Sequence, residues 1–163
     1  MVLHQIANLD PPGCAGSIPA QGALYKMGIR KLSAGIVIRE GEILMMQRKW
    51  EPHREKWCIP GGFTDKSINE SVEDCCIREL KEETGIDVGI IKKVGIIKTY
   101  NERKQRDEEI HIFLCDPKNQ EIVIDDKECL DVKWIVLDEL NNLELMPGLK
   151  NFLDNSKIQE VNK

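Results

Sequence analysis

Long apolar runs are missing from this chain of 163 residues. None approaches the ~20 consecutive apolar residues that a helix needs to cross a bilayer. A basic amino-terminal stretch followed by an apolar one is also absent, which points away from secretion and toward a cytoplasmic protein. The six cysteines (positions 14, 58, 75, 76, 115 and 129) include no C-x-x-C pair, which argues against a zinc ribbon or a thioredoxin-like motif. Most of them read as small core fillers in a reducing compartment. The three histidines, His4, His53 and His111, show no ligand spacing. Positive charge is not in excess: the net charge is −5, which argues against broad binding to nucleic acid or membranes. A small anionic ligand stays open, because a bound divalent ion reverses the local sign. There is no internal repeat and no low-complexity block. The length suits one domain with one sizeable core.

What is present in concentrated form is acid on one helix face. Residues 78–86 read Arg-Glu-Leu-Lys-Glu-Glu-Thr-Gly-Ile. Glu79, Glu82 and Glu83 stand at i, i+3 and i+4, so a helix gathers them within an arc of roughly 100°. Like charges at that spacing destabilise a bare helix by a few tenths of a kcal/mol per pair. Such a stripe is either a solvated acidic face or a site for a hard cation, and carboxylate oxygens suit Mg²⁺ or Mn²⁺. Its context favours the second reading. Glu70 lies eight residues before Arg78, Gly85 ends the helix, and Pro60-Gly61-Gly62 precedes it. Arg, three Glu and Gly at fixed positions recur by chance on the order of once in a million start positions.

The remaining organisation follows from punctuation and periodicity. Residues 1–29 hold Pro11-Pro12-Gly13, Gly16, Pro19 and Gly22 and read as an irregular N-terminal extension. Leu32–Ile38 and Ile43–Arg48 read as strands around a hairpin turn at Glu40-Gly41. The charged loop Lys49–Lys56 leads to a short strand at Trp57–Ile59. Ser67-x-x-Glu70 has the form of a capping box and Gly85 that of a C′ residue, so the spacing predicts a helix over 69–84. Cys76, Ile77, Leu80 and Thr84 form its packing face. Val88–Thr99 and Glu109–Cys115 read as strands separated by a polar loop, Tyr100–Glu108. Strands at Glu121–Ile124 and Val132–Leu137 follow. Asp138 is a suitable N-cap for a short helix, and another helix is expected to begin near Pro147. Strands on both sides of a central helix, with a closing helix, imply an α/β/α domain around a mixed sheet. The domain spans 30–155, and 156–163 is a tail.

The stretch from Glu70 to Ile86 resembles the Nudix box, G-x5-E-x7-R-E-U-x-E-E-x-G-U with U aliphatic. It matches from Glu70 onward through Arg78, Glu79, Leu80, Glu82, Glu83, Gly85 and Ile86. The front half departs: seven residues separate Gly62 from Glu70 where the family has five, a two-residue insertion in the loop before the helix. Outside the box, the strand ending in Gln47-Arg48, the run Trp57–Phe63, and Val132-Lys133-Trp134 followed by Leu137–Leu140 are also similar to that family, MutT-like hydrolases included.

The resemblance implies the Nudix fold and a divalent-metal-dependent hydrolase of the pyrophosphate bond in a nucleoside diphosphate linked to another group. It makes Glu82 and Glu83 the main ligands of Mg²⁺ or Mn²⁺, Glu79 a third ligand or an activator of water, and the Gly61 carbonyl a further ligand. Arg78 and Glu70 become a supporting ion pair. The general base comes from outside the box: Glu128 is the candidate, with Glu102, Glu108 and Glu109 as rivals. Arg48 could hold a phosphate, since guanidinium matches phosphate bidentately, or be an ordinary surface arginine. Trp50 and Trp57 could stack on a base, or Trp57 could be a core aromatic. No run of the NADH-hydrolase type follows the box. No proline lies between Pro60 and Pro117, where ADP-ribose hydrolases often have one. Tyr100 is near, but not at, the position of the dinucleoside-polyphosphate group. The expected partner is therefore a small nucleotide, a nucleoside triphosphate in a housecleaning role, with a homodimer left open. ADP-ribose or dinucleoside polyphosphates, a non-catalytic nucleotide-binding module, and isopentenyl-diphosphate isomerisation are the alternatives.

Overall fold

Glu40 and Gly41 both adopt positive φ (45° and 81°), the condition for a tight two-residue hairpin turn. They join β1 (Arg30–Arg39) to β2 (Glu42–Arg48) in the computed structural model, which describes residues 28–156. The extension read over 1–29 and the tail over 156–163 therefore lie almost wholly outside the described residues. After the turn come β3 (Trp57–Cys58), β4 (Gly61–Phe63), α1 (Val72–Thr84), β5 (Val88–Asn101), β6 (Arg106–Pro117), β7 (Cys129–Val136), a 3-10 helix over Leu137–Asn142, and α2 (Leu149–Asn155).

β1 is the hub of the sheet. It runs parallel to β6 over eight register pairs, from Arg30↔Glu108 to Val37↔Cys115, and antiparallel to β4. β5 extends the sheet beyond β6, while β2 carries β3 and β7. Direction is mixed: β1 and β6, separated in the chain by four strands and α1, run parallel, whereas the other neighbours are antiparallel. The apolar runs Ala34–Val37, Ile43–Met46 and Ile112–Cys115 are buried throughout, as strands covered on both faces require.

Helices cover both faces, which gives the expected α/β/α layering. On one face, Gly35 admits α1: a Cβ there would stand 2.3 Å from Leu80 Cδ1. Cys76 of α1 and Cys115 of β6 meet with sulfurs 3.8 Å apart. On the other face, Gly95 of β5 lies under the Phe152 ring of α2. Most cysteines are indeed core: Cys58, Cys75, Cys76, Cys115 and Cys129 are buried and free.

Four local expectations need correction. The helix begins at Val72, and its N-cap is Ser71, which accepts from Asp74 N–H at 3.0 Å. Ser67 instead bonds Asp65 within the inserted loop, and Glu70 is taken by Arg78, so neither is free to form a capping box. Glu121–Ile124 is no strand. Its Val123 N–H donates to Thr84 O at the end of α1, so no sheet ladder holds it. The polar loop at 100–108 is mostly strand: β5 and β6 continue to Asn101 and from Arg106, because cross-strand pairs such as Asn101–Glu108 and Lys98–Glu109 suit a solvated hairpin. Asp138 makes no cap hydrogen bond and lies inside the 3-10 turn.

Gly85 ends α1 as expected, with φ 75° and its N–H on Lys81 O. A Cβ at Gly85 would also lie 2.8 Å from Val123 N, so the crossing segment depends on the same residue. Gly85→Ala is expected to cost about 1–3 kcal/mol, from the left-handed backbone and this clash together. Urea denaturation of the variant checks this; unchanged stability would contradict both contacts.

Candidate active site

The acidic face of α1 points at the strand β4. Glu79 packs its carboxylate against Gly62: a Cβ there would lie 2.5 Å from the carboxylate carbon and from Oε2. Glu83 Oε2 accepts the Gly61 N–H at 2.8 Å. The two glycines therefore let two carboxylates close on the strand. Gly61 cannot carry a side chain for a second reason, since a Cβ would meet Ser33 O of β1 at 2.2 Å. Gly61 is thus at the site, and the contact it makes there is through its N–H.

Arg78 organises the acids. Its Nε and Nη2 bond both oxygens of Glu70 (2.7 and 2.9 Å), its Nη1 bridges Glu79 (2.8 Å) and Glu82 (2.9 Å), and its Nη2 also donates to Phe63 O (3.1 Å). The expected Arg78–Glu70 brace is present. Glu70 is deeply covered, and the guanidinium holds its carboxyl well down, to about 2. Glu82 is the outermost acid, 57% exposed.

Glu83 is the opposite case. It is buried and forms no ion pair among the described residues. Burial first, then repulsion from Glu79 and Glu128 after the offsetting Gly61 hydrogen bond, pushes its carboxyl up to about 8. Burial also raises Glu79, against the pull of Arg78.

Two further expected residues reach Glu83. Glu128 acts on it by repulsion and Arg48 by attraction. Arg48 also faces Cys58, and its Nε is buried without a hydrogen-bond partner. Trp57 alternates to the other face of the β2–β3–β7 sheet, under the Lys133 ammonium (5.7 Å). Trp50 is exposed, and its indole N–H bonds Lys127 O, while Lys49 bonds Asp126 O. These two tie the loop 49–56 to the loop that carries Glu128. The sequence showed both residues but not this docking, which depends on a contact 77 positions away. Among the rival bases, Glu108 is engaged by Arg106 and Asn101, Glu109 by Lys98 and His111, and Glu102 sits at the hairpin tip.

Among the described residues, no three acid, cysteine or histidine side chains converge on one cation position as they stand, because Arg78 and Gly61 hold the acids apart. The donor chemistry nonetheless fits a hard divalent ion: three carboxylates on one helix turn, one of them buried with no ion pair among the described residues.

The Glu83 carboxyl gives a pH test in metal-free protein. Folded chain keeps this proton to about pH 8, whereas the unfolded chain loses it near 4.5. The stability it supports is complete below the lower value and declines as pH rises through the upper one. Glu83→Gln, which can still accept from Gly61, is expected to flatten that decline and to be more stable than wild type above about pH 8 in chelator. Denaturant titrations at several pH values check this; parallel curves for the two proteins would contradict it.

Comparison with known proteins places the chain in a family. A family model described as NUDIX domain matches residues 29–155. The chain is 32% identical over 130 residues to a Bacillus subtilis protein named "Putative 8-oxo-dGTP diphosphatase", covering 78% of this chain and 80% of that one. It is 33% identical over 110 residues to an ADP-ribose pyrophosphatase of Methanocaldococcus jannaschii, covering 67% of this chain and 61% of the relative. The fold superposes on a MutT NUDIX hydrolase from Burkholderia pseudomallei with a TM-score of 0.69, at 23% identity, over 78% of this chain and 97% of that one. With the carboxylates of α1 closed on Gly61 and Gly62 and the family model spanning β1 through α2, the chain belongs to the Nudix family.

Proposed function

We propose that this Nudix pyrophosphohydrolase cleaves the pyrophosphate bond of a nucleoside triphosphate or a related nucleotide, with Mg²⁺ or Mn²⁺ held by Glu79, Glu82 and Glu83. The observation that carries the reading is Glu83: a buried carboxyl beside two others that forms no ion pair among the described residues. When bound, a divalent ion supplies charge neutralisation of the bridging phosphates and a lowered pKa for its water. The Gly61 carbonyl is the further donor proposed.

The chain's own groups do the rest. Arg78 and Glu70 fix the helix against the loop before it, so the acids keep their places as substrate enters. Arg48, with a free Nε close to Glu83, orients a phosphate oxygen. Glu128 is the proposed base: it lies next to Glu83 on a loop anchored by Lys49 and Trp50 and takes the proton of the attacking water.

A triphosphate is preferred because of the B. subtilis relative, whose coverage is high in both chains. ADP-ribose is the second reading, favoured by the M. jannaschii relative.

A screen over dNTPs, oxidised dNTPs, ADP-ribose, NADH, dinucleoside polyphosphates and sugar nucleotides with Mg²⁺ tests the activity. Glu82→Gln and Glu83→Gln are each expected to lower kcat by roughly a thousandfold, equivalent to about 4 kcal/mol of barrier, in folded protein. Full activity in the double variant would overturn the metal assignment.

A further inference from the structure

Phe63 is the residue after the two glycines, and its side chain turns away from the acids. It pairs in register with Leu32 of β1, on the face opposite α1. Two guanidinium groups lie over its ring, Arg30 at 4.9 Å and Arg106 at 5.2 Å from the centroid. Phe63 is still 38% exposed. Stacking on an aromatic holds the planar fork of an arginine while leaving its edge N–H groups free to donate.

The charge at this spot is unbalanced. Glu108 is the carboxylate bonded there, and its Oε1 accepts from Arg106 (2.8 and 2.9 Å) and Asn101 (3.1 Å). Arg30 stands opposite Glu108 in register, and its Nη1 is buried without a hydrogen-bond partner. Among the described residues, two guanidinium groups against one carboxylate leave a net positive site held by stacking.

Its position links it to the acids. β4 pairs with β1 alone. The groups on its free edge bond to α1: Gly61 N–H to Glu83, and Phe63 C=O to Arg78. The acidic site therefore wraps the free edge of a three-residue strand whose opposite face carries Phe63, Arg30 and Arg106. Phe63 follows Gly62 directly in that strand, so the acids and the two guanidinium groups flank the same three residues.

We propose that Arg30 and Arg106, stacked on Phe63, form an oxyanion subsite. It takes a phosphate of the nucleotide one group removed from the bond cut at the acids. This rests on the pyrophosphohydrolase reading above. The subsite favours substrates with a further phosphate over those ending in an uncharged sugar, since stacked guanidinium groups reward charge and bidentate geometry.

The test uses the full chain with Mg²⁺ and two readouts: calorimetric binding of a methylene-bridged nucleoside triphosphate, which cannot be cut at the bridge, and KM and kcat on whichever nucleotide the wild type hydrolyses. Arg30→Gln and Arg106→Lys are the variants; the lysine keeps the charge on Glu108 and loses the fork. Each is expected to weaken analogue binding and raise KM by roughly 10- to 100-fold, with kcat changed little. Phe63→Leu, which keeps bulk and removes the ring, is expected to act in the same direction. Wild-type analogue affinity in the folded arginine variants would overturn the subsite while leaving hydrolysis standing. A wild type that hydrolyses nothing but binds the analogue through both arginines would overturn the activity and leave the subsite. Should Arg106→Lys melt early, Arg30→Gln alone decides.

Discussion

One guanidinium holds the acidic site of this protein in register. Arg78 joins four groups from three pieces of chain: Glu70 before the helix, Glu79 and Glu82 on it, and the carbonyl of Phe63 on β4. The pairs are unequal. An exposed i,i+4 pair such as Arg78–Glu82 is worth about 0.3–0.5 kcal/mol. Stripping a covered carboxylate of its only cation costs about 3–5 kcal/mol. Glu70, nearly enclosed, is therefore the anchor, while Glu82 can leave the arginine at small cost. That difference lets one residue brace the site and still release an acid to a ligand.

Glu83 shows the other side of the same economy of charge. Its place is determined by glycines rather than by a cation, and its burial works against its ionisation. A folded protein gains nothing by itself from such a group. The instability is localised where a ligand can relieve it, which is the pattern expected of functional sites.

Much of this is legible in the sequence. Arg78, Glu70, the three acids, Gly61 and the stop at Gly85 sit on one helix and one short strand, where spacing converts directly into geometry. The α/β/α layering followed from the order of apolar runs. What escaped were features decided at long range. Glu121–Ile124 has a β-like composition, yet its backbone is claimed by the end of α1. Ser67 looked like a cap, and Ser71 became one because Glu70 was already committed to Arg78. The polar residues 100–108 read as loop, since solvated hairpins lack the alternation that marks a half-buried strand. Trp57 and Arg48 stood together as substrate contacts in sequence, and strand alternation separated them onto two faces.

The loop that departs from the family pattern is closed at its base. Asp65 N–H donates to Glu70 Oε2, Glu70 N–H donates to Asp65 O, and Asp65 turns its own carboxylate onto Ser67. Thr64, just before it, is buried and bonded to Lys31 O, and the five residues that follow are exposed. The two additional residues are thus looped out beyond a clasp that the rest of the molecule does not feel. Chain length at this point is decoupled from the chemistry, so evolution, or an engineer seeking a place to graft a peptide, has free use of residues 66–69 while the acids behind the clasp keep their spacing.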